Sequence, residues 1–158
     1  MTLAENLVAL LRSRSLTVAT AESCTGGLVS ELITAVPGAS EVFVCGVCTY
    51  TNESKQSILG VSPDTLSRYG AVSRQTACEM AGGIRRVSGA DITVSVTGIA
   101  GPGGGTPSKP VGTVWLAVSS QHGTETEMLS LDPSLTRGEI RDKSAMTALG
   151  LLMKEAEK

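Results

Sequence analysis

The chain is short of the residues that most often carry chemistry. It has one histidine, His122, so a Ser-His-Asp triad or a zinc site is poorly supplied. Aromatic residues make up 3% of it, too few for platforms on which bases stack. Basic residues are not in excess: 13 Lys and Arg stand against 15 Asp and Glu, a net charge of -2. With no basic patch to neutralise phosphates, no nucleic-acid partner is expected. No apolar run approaches the roughly 20 residues that span a bilayer. "MTLAENLVALLRSR" is interrupted by Glu5 and has no small-residue cleavage site, unlike a signal peptide. A cytoplasmic protein with no membrane partner is expected.

What the chain does have is apolar residues, 41% against 18% charged over 158 residues. That composition is globular, and the length suits one domain with a proper core; residues 1–158 read as a single domain. Four cysteines stand at 24, 45, 48 and 78. Cys45 and Cys48 spell C-x-x-C within "EVFVCGVCTY", a run that looks like a strand. Positions three apart on a strand point to opposite faces, whereas redox pairs of this spacing sit at a helix start. Two buried small residues are expected, with neither metal nor cofactor.

Thr2 with Glu5 makes a capping box, and Leu3, Leu7, Leu10 and Leu11 give a helical stripe. "LTVAT" (16–20) reads as a strand ended by Glu22 or Ser23, and Leu28, Val29, Leu32 and Ile33 mark a helix stopped near Pro37 and Gly38. "EVFVCGVCTY" (41–50) is a strand, followed by a short helix capped by Asn52 and closed by Gly60. "VSPDTLSRYG" is a turn of helix and a loop. Ser73 caps a longer helix with Ala77, Met80, Ala81, Ile84 and Val87 on one face. "DITVSVTG" (91–98) is a strand, and "GIAGPGGGTPSKPVG" a long loop. "GTVWLAVSS" and "TETEMLSL" form a hairpin about "QHG", which places His122 in a polar turn. A second capping box, Thr136 with Glu139, opens the last helix. Helices alternating with early strands, then a hairpin, give an α/β fold: a three-layer α/β/α sandwich with a mixed β-sheet.

Candidate chemistry begins at "TAESCTGG" (20–27). Ser23, between strand and helix, is either an N-cap or a nucleophile. Gly26 and Gly27 fall in the expected first helical turn, where glycine costs about 1 kcal/mol against alanine. Their amides there would suit an oxyanion. A serine nucleophile needs a base, and a neutral lysine serves. Lys55 sits in the first turn of a helix, where the dipole disfavours a cation and desolvation would lower its pKa; the alternative is a solvated surface lysine. Cys24 is a rival nucleophile, since a thiol at a helix N-terminus has a lowered pKa. Gly101, Gly103, Gly104 and Gly105 fit neither G-x-G-x-x-G nor a P-loop, leaving an anion-binding nest or a loop held by prolines. Arg137 and Arg141 share a face of the last helix against its dipole. They either bind an anion or pair with Glu139, Asp132 or Asp142.

Taken together, "TAESCTGGLVSELITAVPGASEVF", "GVCTYTNESKQSILGV", "GAVSRQTACEMAGG", "ADITVSVTGIAGPGGGTPSKPVGTVW" and "TRGEIR" resemble the CinA C-terminal domain family, that of bacterial nicotinamide mononucleotide deamidase. The resemblance runs from about Leu3 to Leu152. It implies a metal-free Ser-Lys amidohydrolase that converts nicotinamide mononucleotide to nicotinate mononucleotide and ammonia. Ser23 would be the nucleophile and Lys55 the base, with Tyr50 assisting proton transfer or orienting the lysine. Thr97 would touch the substrate or polarise its amide. Gly26, Gly27, Gly98, Gly101, Gly103, Gly104, Arg137 and Arg141 would bind substrate. A homo-oligomer, a dimer, is expected. The family usually has glycine and valine where Cys45 and Cys48 stand, and alanine where Ser54 stands. Many relatives add an N-terminal molybdopterin-binding-like domain, so a stand-alone form or a piece of a longer protein is expected. The rival readings are a non-catalytic nucleotide-binding regulatory module and a Cys24 thiol enzyme.

Overall fold

In the computed structural model, which describes residues 1–158, five strands form one mixed sheet. They are β1 (Val18–Glu22), β2 (Phe43–Cys48), β3 (Ile92–Gly98), β4 (Thr113–Ser120) and β5 (Gly123–Ser130). The order across the sheet is β2-β1-β3-β4-β5. β1 pairs in parallel with β2 and β3, while β3, β4 and β5 pair antiparallel. The six α-helices are α1 (Leu3–Arg14), α2 (Leu28–Thr34), α3 (Asn52–Leu59), α4 (Pro63–Tyr69), α5 (Arg74–Ser88) and α6 (Arg137–Ala156), with a 3-10 turn over Ala39–Glu41.

The two faces of the sheet follow from strand alternation. Val18, Val94, Val96, Val114, Leu116 and Val118 point to one side, where they pack with Leu7, Leu11, Val29, Ile33, Leu149 and Leu152 of α1, α2 and α6. Ala19 and Ala21 point to the other, against Leu59, Met80 and Ile84 of α3 and α5. This is the expected three-layer α/β/α sandwich. On the α5 side β3 carries hydroxyls instead of apolar groups. Thr93 Oγ1 and Ser95 Oγ donate to the Ala81 and Ala77 carbonyls of α5, at 2.8 and 2.6 Å. Small residues on both elements bring α5 close enough for those bonds. At Gly83 a Cβ would stand 2.1 Å from the Leu59 carbonyl oxygen, so α3 and α5 touch backbone to backbone.

Both expected capping boxes form, Thr2 with Glu5 and Thr136 with Glu139. Several boundaries differ from the sequence reading. β1 extends through Glu22, because parallel pairing on both sides satisfies its backbone. β2 is shorter than 41–50, since the 3-10 turn takes Ala39–Glu41. Thr51, not Asn52, caps α3; its hydroxyl accepts from Ser54 N and Ser54 Oγ completes the box. The serine that departs from the family pattern thus fastens this helix. "VSPDTLSRYG" forms the seven-residue α4, capped by Ser62. Val87, expected on the apolar face of α5, is 59% exposed. Cys45 and Cys48 face opposite ways, but neither is fully buried: Cys45 is half-buried and Cys48 exposed. β2 is an edge strand, which explains this.

Candidate active site

The carboxyl ends of β1, β2 and β3 gather the candidate residues. Open α/β sheets bind ligands at such a place, where the chain leaves a central strand toward opposite neighbours. Ser23 follows β1 directly, and its N–H donates to Val96 O of β3 at 2.9 Å. Thr49 follows β2 and donates to Glu22 O at 2.9 Å. Thr97 lies near the end of β3.

Lys55 projects from α3 into this junction. Its Nζ lies 3.0 Å from Ser23 Oγ and 2.7 Å from the Thr49 carbonyl. The residue is 1% exposed, so it is no surface lysine. Burial holds its pKa below the ordinary lysine value, because the charged form loses its hydration. A Cys24 thiolate would raise it, but the Cys24 thiol is itself pushed up to about 11, mainly by burial. The thiol is therefore protonated at neutral pH. This reverses the expectation of a helix-activated Cys24: α2 starts only at Leu28, and Cys24 belongs to the core instead.

Ser23 is not an N-cap. The cap of α2 is Gly27, at φ 103°, with no side-chain cap. Gly26 is also left-handed, at φ 61°. The two glycines thus build the turn before the helix, not its first turn, and they are needed for conformation. Their amides are already committed. Gly26 N–H donates to Ser23 O at 3.0 Å, and Gly27 N–H to Glu22 Oε2 at 3.1 Å. The expectation that these two N–H groups hold an oxyanion is therefore overturned. Glu22 Oε2 also accepts from Val29 N, and Oε1 from Ser30 N and Ser30 Oγ. An internal carboxylate thus fills the anion site at the start of α2. In the sequence, Glu22 read only as the end of a strand, because its role depends on a helix that starts six residues later.

A cavity of about 210 Å³ opens beside the pair, lined by Ser23, Cys24, Tyr50, Lys55, Ala71, Val72, Thr97, Gly98, Ala100 and Arg137. Thr97 Oγ1 donates to Ala71 O at 2.8 Å, which ties β3 to the segment before α5. Tyr50 is 60% exposed and accepts from Arg137 Nη2 at 2.8 Å. Lys55 Nζ bonds Ser23 and Thr49, so Tyr50 does not orient it. Arg137 Nη1 donates to Gly101 O at 2.7 Å, binding α6, the glycine loop and the β2–α3 connection across the cavity mouth.

The CinA C-terminal domain pattern matches residues 1–156. The chain belongs to the CinA C-terminal domain family. It is 52% identical over 151 residues to a CinA-like protein of Thermotoga neapolitana, covering 95% of this chain and 36% of that one. It is 49% identical over 143 residues to a putative competence-damage inducible protein of Acetivibrio thermocellus, covering 90% and 34%. The chain therefore spans about a third of the length of these relatives. Among solved structures, a competence/damage inducible protein of Agrobacterium tumefaciens superposes with a TM-score of 0.95 at 43% identity, covering 99% of this chain and 94% of that one. A CinA superfamily protein of Klebsiella pneumoniae does so at 0.93 and 31%, covering 98% and 96%.

Gly98 lines the cavity, but Gly101, Gly103 and Gly104 do not; Gly101 contributes its carbonyl to Arg137 and the other two are exposed. Arg141 also lies outside the lining. Its Nε donates to Cys24 O at 3.1 Å and its Nη2 to Thr25 O at 2.8 Å. Neither arginine pairs with Glu139, Asp132 or Asp142; both are held by carbonyls, and Arg137 also by the Tyr50 hydroxyl. The larger cavity, about 580 Å³, lies at the other end of the sheet, where α1, α5 and α6 finish. His122 lines it, its Nδ1 3.0 Å from Glu155 Oε1. The turn histidine thus has a buried carboxylate partner. Ser120 and Lys158 line it too, but each bonds Glu155 and no bond joins them. None of the six helices is long and apolar enough to cross a membrane.

Proposed function

We propose that this chain is a Ser-Lys amidohydrolase that converts nicotinamide mononucleotide to nicotinate mononucleotide and ammonia. One observation carries the reading: a desolvated amine, Lys55 Nζ, lies 3.0 Å from the Ser23 hydroxyl at the floor of a cavity. A binding module has no use for a buried lysine aimed at a serine, since burying a cation costs several kcal/mol.

In the neutral amine, one N–H donates to the Thr49 carbonyl and the lone pair faces Ser23 Oγ. The Ser23 proton passes to Nζ as Oγ bonds to the carboxamide carbon. The tetrahedral intermediate collapses, Lys55 returns the proton to the departing nitrogen, and ammonia leaves an acyl ester on Ser23. Water, deprotonated by Lys55, then cleaves that ester, and Lys55 returns the proton to the departing Ser23 Oγ. At about 210 Å³ the cavity is smaller than the ~300–1,000 Å³ of sites that engulf a whole ligand. It takes the amide-bearing ring, and the phosphate lies at the mouth beside Arg137. Two of the five guanidinium donors of Arg137 are used there.

The test is ammonia release from nicotinamide mononucleotide by wild type, Ser23→Ala and Lys55→Ala. Loss of release in both variants supports the assignment. Equal release from all three refutes it.

A further inference from the structure

We infer that Arg141 is a positioning residue: its grip on the Cys24 and Thr25 carbonyls holds the serine turn so that the amides of Cys24 and Thr25 face a developing oxyanion. The inference rests on the hydrolase reading above. Most amides of the turn already have acceptors. Ser23 N–H is bound to Val96 O, Gly26 N–H to Ser23 O, and Gly27 N–H to the Glu22 carboxylate. The N–H groups of Cys24 and Thr25 take part in none of these bonds, and Cys24 lines the cavity next to Ser23.

For Thr25 the hold is on the other side of the same peptide; for Cys24 it is the Gly26 N–H, which donates to Ser23 O. In a trans peptide the C=O and N–H point in opposite directions. Arg141 draws the Cys24 and Thr25 carbonyls toward α6, at 3.1 and 2.8 Å. The N–H groups of those two peptides, on Thr25 and Gly26, are therefore turned away from α6. The Gly26 N–H meets Ser23 O and so fixes the Ser23–Cys24 peptide, which carries the Cys24 N–H. The turn alone would not hold this geometry, because two successive left-handed glycines, Gly26 and Gly27, are conformationally permissive. The Leu28 N–H holds Thr25 O at 3.2 Å, and two charged side chains add to this: Glu22 through the start of α2 and Arg141 through both carbonyls. The planar guanidinium presents Nε and Nη2 to the two carbonyls at a fixed spacing, a fork that a lysine ammonium does not reproduce. Arg141 touches neither the cavity nor the reacting groups, so its effect is on geometry.

The test reads Ser23 directly. A fluorophosphonate, which traps activated serines through the same oxyanion geometry, is reacted with wild type, Arg141→Gln, Arg141→Lys and a control, Arg12→Gln. The control removes only the exposed Arg12–Glu41 pair. Ammonia release gives kcat and KM in parallel, and melting temperature checks folding. The expected result is a labelling rate lowered about 100-fold in Arg141→Gln, the scale of one lost oxyanion donor. kcat falls in step while KM stays within about 3-fold, and the control is unchanged. Arg141→Lys keeps the charge and stem and is expected to be slow too; it is read alone if Arg141→Gln does not fold. Wild-type labelling rates in a folded Arg141 variant overturn the inference and leave the hydrolase reading standing. Labelling that slows with Arg141, in a protein that releases no ammonia, supports the inference and removes the proposed substrate. A wild type that neither labels nor hydrolyses removes both.

Discussion

Lys55 Nζ and Ser23 Oγ, 32 residues apart in sequence, lie 3.0 Å from one another, with the amine's other bond made to the Thr49 carbonyl. In the proposed Ser-Lys mechanism, amine and hydroxyl are one unit. Ser23→Ala is expected to lower kcat by about 1,000-fold or more, as for other serine nucleophiles. Cys24→Ala, which removes a protonated thiol, is expected to leave kcat within about 5-fold. A dead Cys24 variant beside a live Ser23 variant reverses the assignment. The readout is steady-state ammonia release.

Burial lowers the Lys55 pKa, so kcat/KM is expected to rise with pH as the amine deprotonates and then level off. The stability consequence has the same direction. In the unfolded chain lysine titrates near 10.4, so between the lowered value and about 10.4 the unfolded state binds more protons. Stability therefore rises with pH across that window. Lys55→Met is expected to flatten the urea-unfolding profile against pH and to raise stability at its acid side, by about 1.4 kcal/mol per unit of depression. An unchanged profile contradicts a desolvated lysine.

Glu22 accepts four hydrogen bonds at the start of α2, three from backbone N–H groups and one from Ser30 Oγ. Glu22→Gln puts an amide NH₂ among those donors. A loss of about 2–4 kcal/mol is expected in chemical denaturation, since bonds to a buried charge are worth about 1.5–3 kcal/mol and an unpaired donor adds to the loss.

Two glycines separate packing from propensity. Gly83→Ala drives a methyl to 2.1 Å from the Leu59 carbonyl oxygen and is expected to cost about 3 kcal/mol by overpacking. Gly150→Ala, in α6 with nothing within 4 Å of the added carbon, is expected to gain about 0.5–1 kcal/mol. Melting temperatures of the pair check this, and equal shifts contradict the close approach of α3 and α5.

Arg137→Ala removes the bonds to Gly101 O and the Tyr50 hydroxyl. A KM for nicotinamide mononucleotide raised about 10-fold, with kcat less affected, is expected from loss of a charged phosphate contact. The corresponding riboside, which lacks phosphate, should be turned over alike by wild type and variant. Equal losses with both compounds place Arg137 away from the phosphate.

Much of the fold was legible because its signals are local. Thr2 with Glu5 and Thr136 with Glu139 form capping boxes within one turn of chain. "DITVSVTG" shows strand alternation over a single segment. The two stretches singled out around Ser23 and Lys55 are brought together in the structure. Errors arose where a residue answers to something distant. Gly26 and Gly27 looked like the first turn of a helix, yet Glu22 claims that helix start and pushes it on to Leu28. Arg141 looked like an anion site because its carbonyl partners lie more than 100 residues away.

By itself, the sequence determined the order of helices and strands, the capping boxes at Thr2 and Thr136, and the polar side chains available for chemistry; these depend on periodicity and on groups a few positions apart. Only the tertiary structure decided which amine is stripped of water, which amides are already spent, and which arginine serves the turn instead of the cavity. Desolvation and hydrogen-bond partnership are set by whatever packs alongside. Here that is β1, β2, β3 and α6, brought together from across the whole chain.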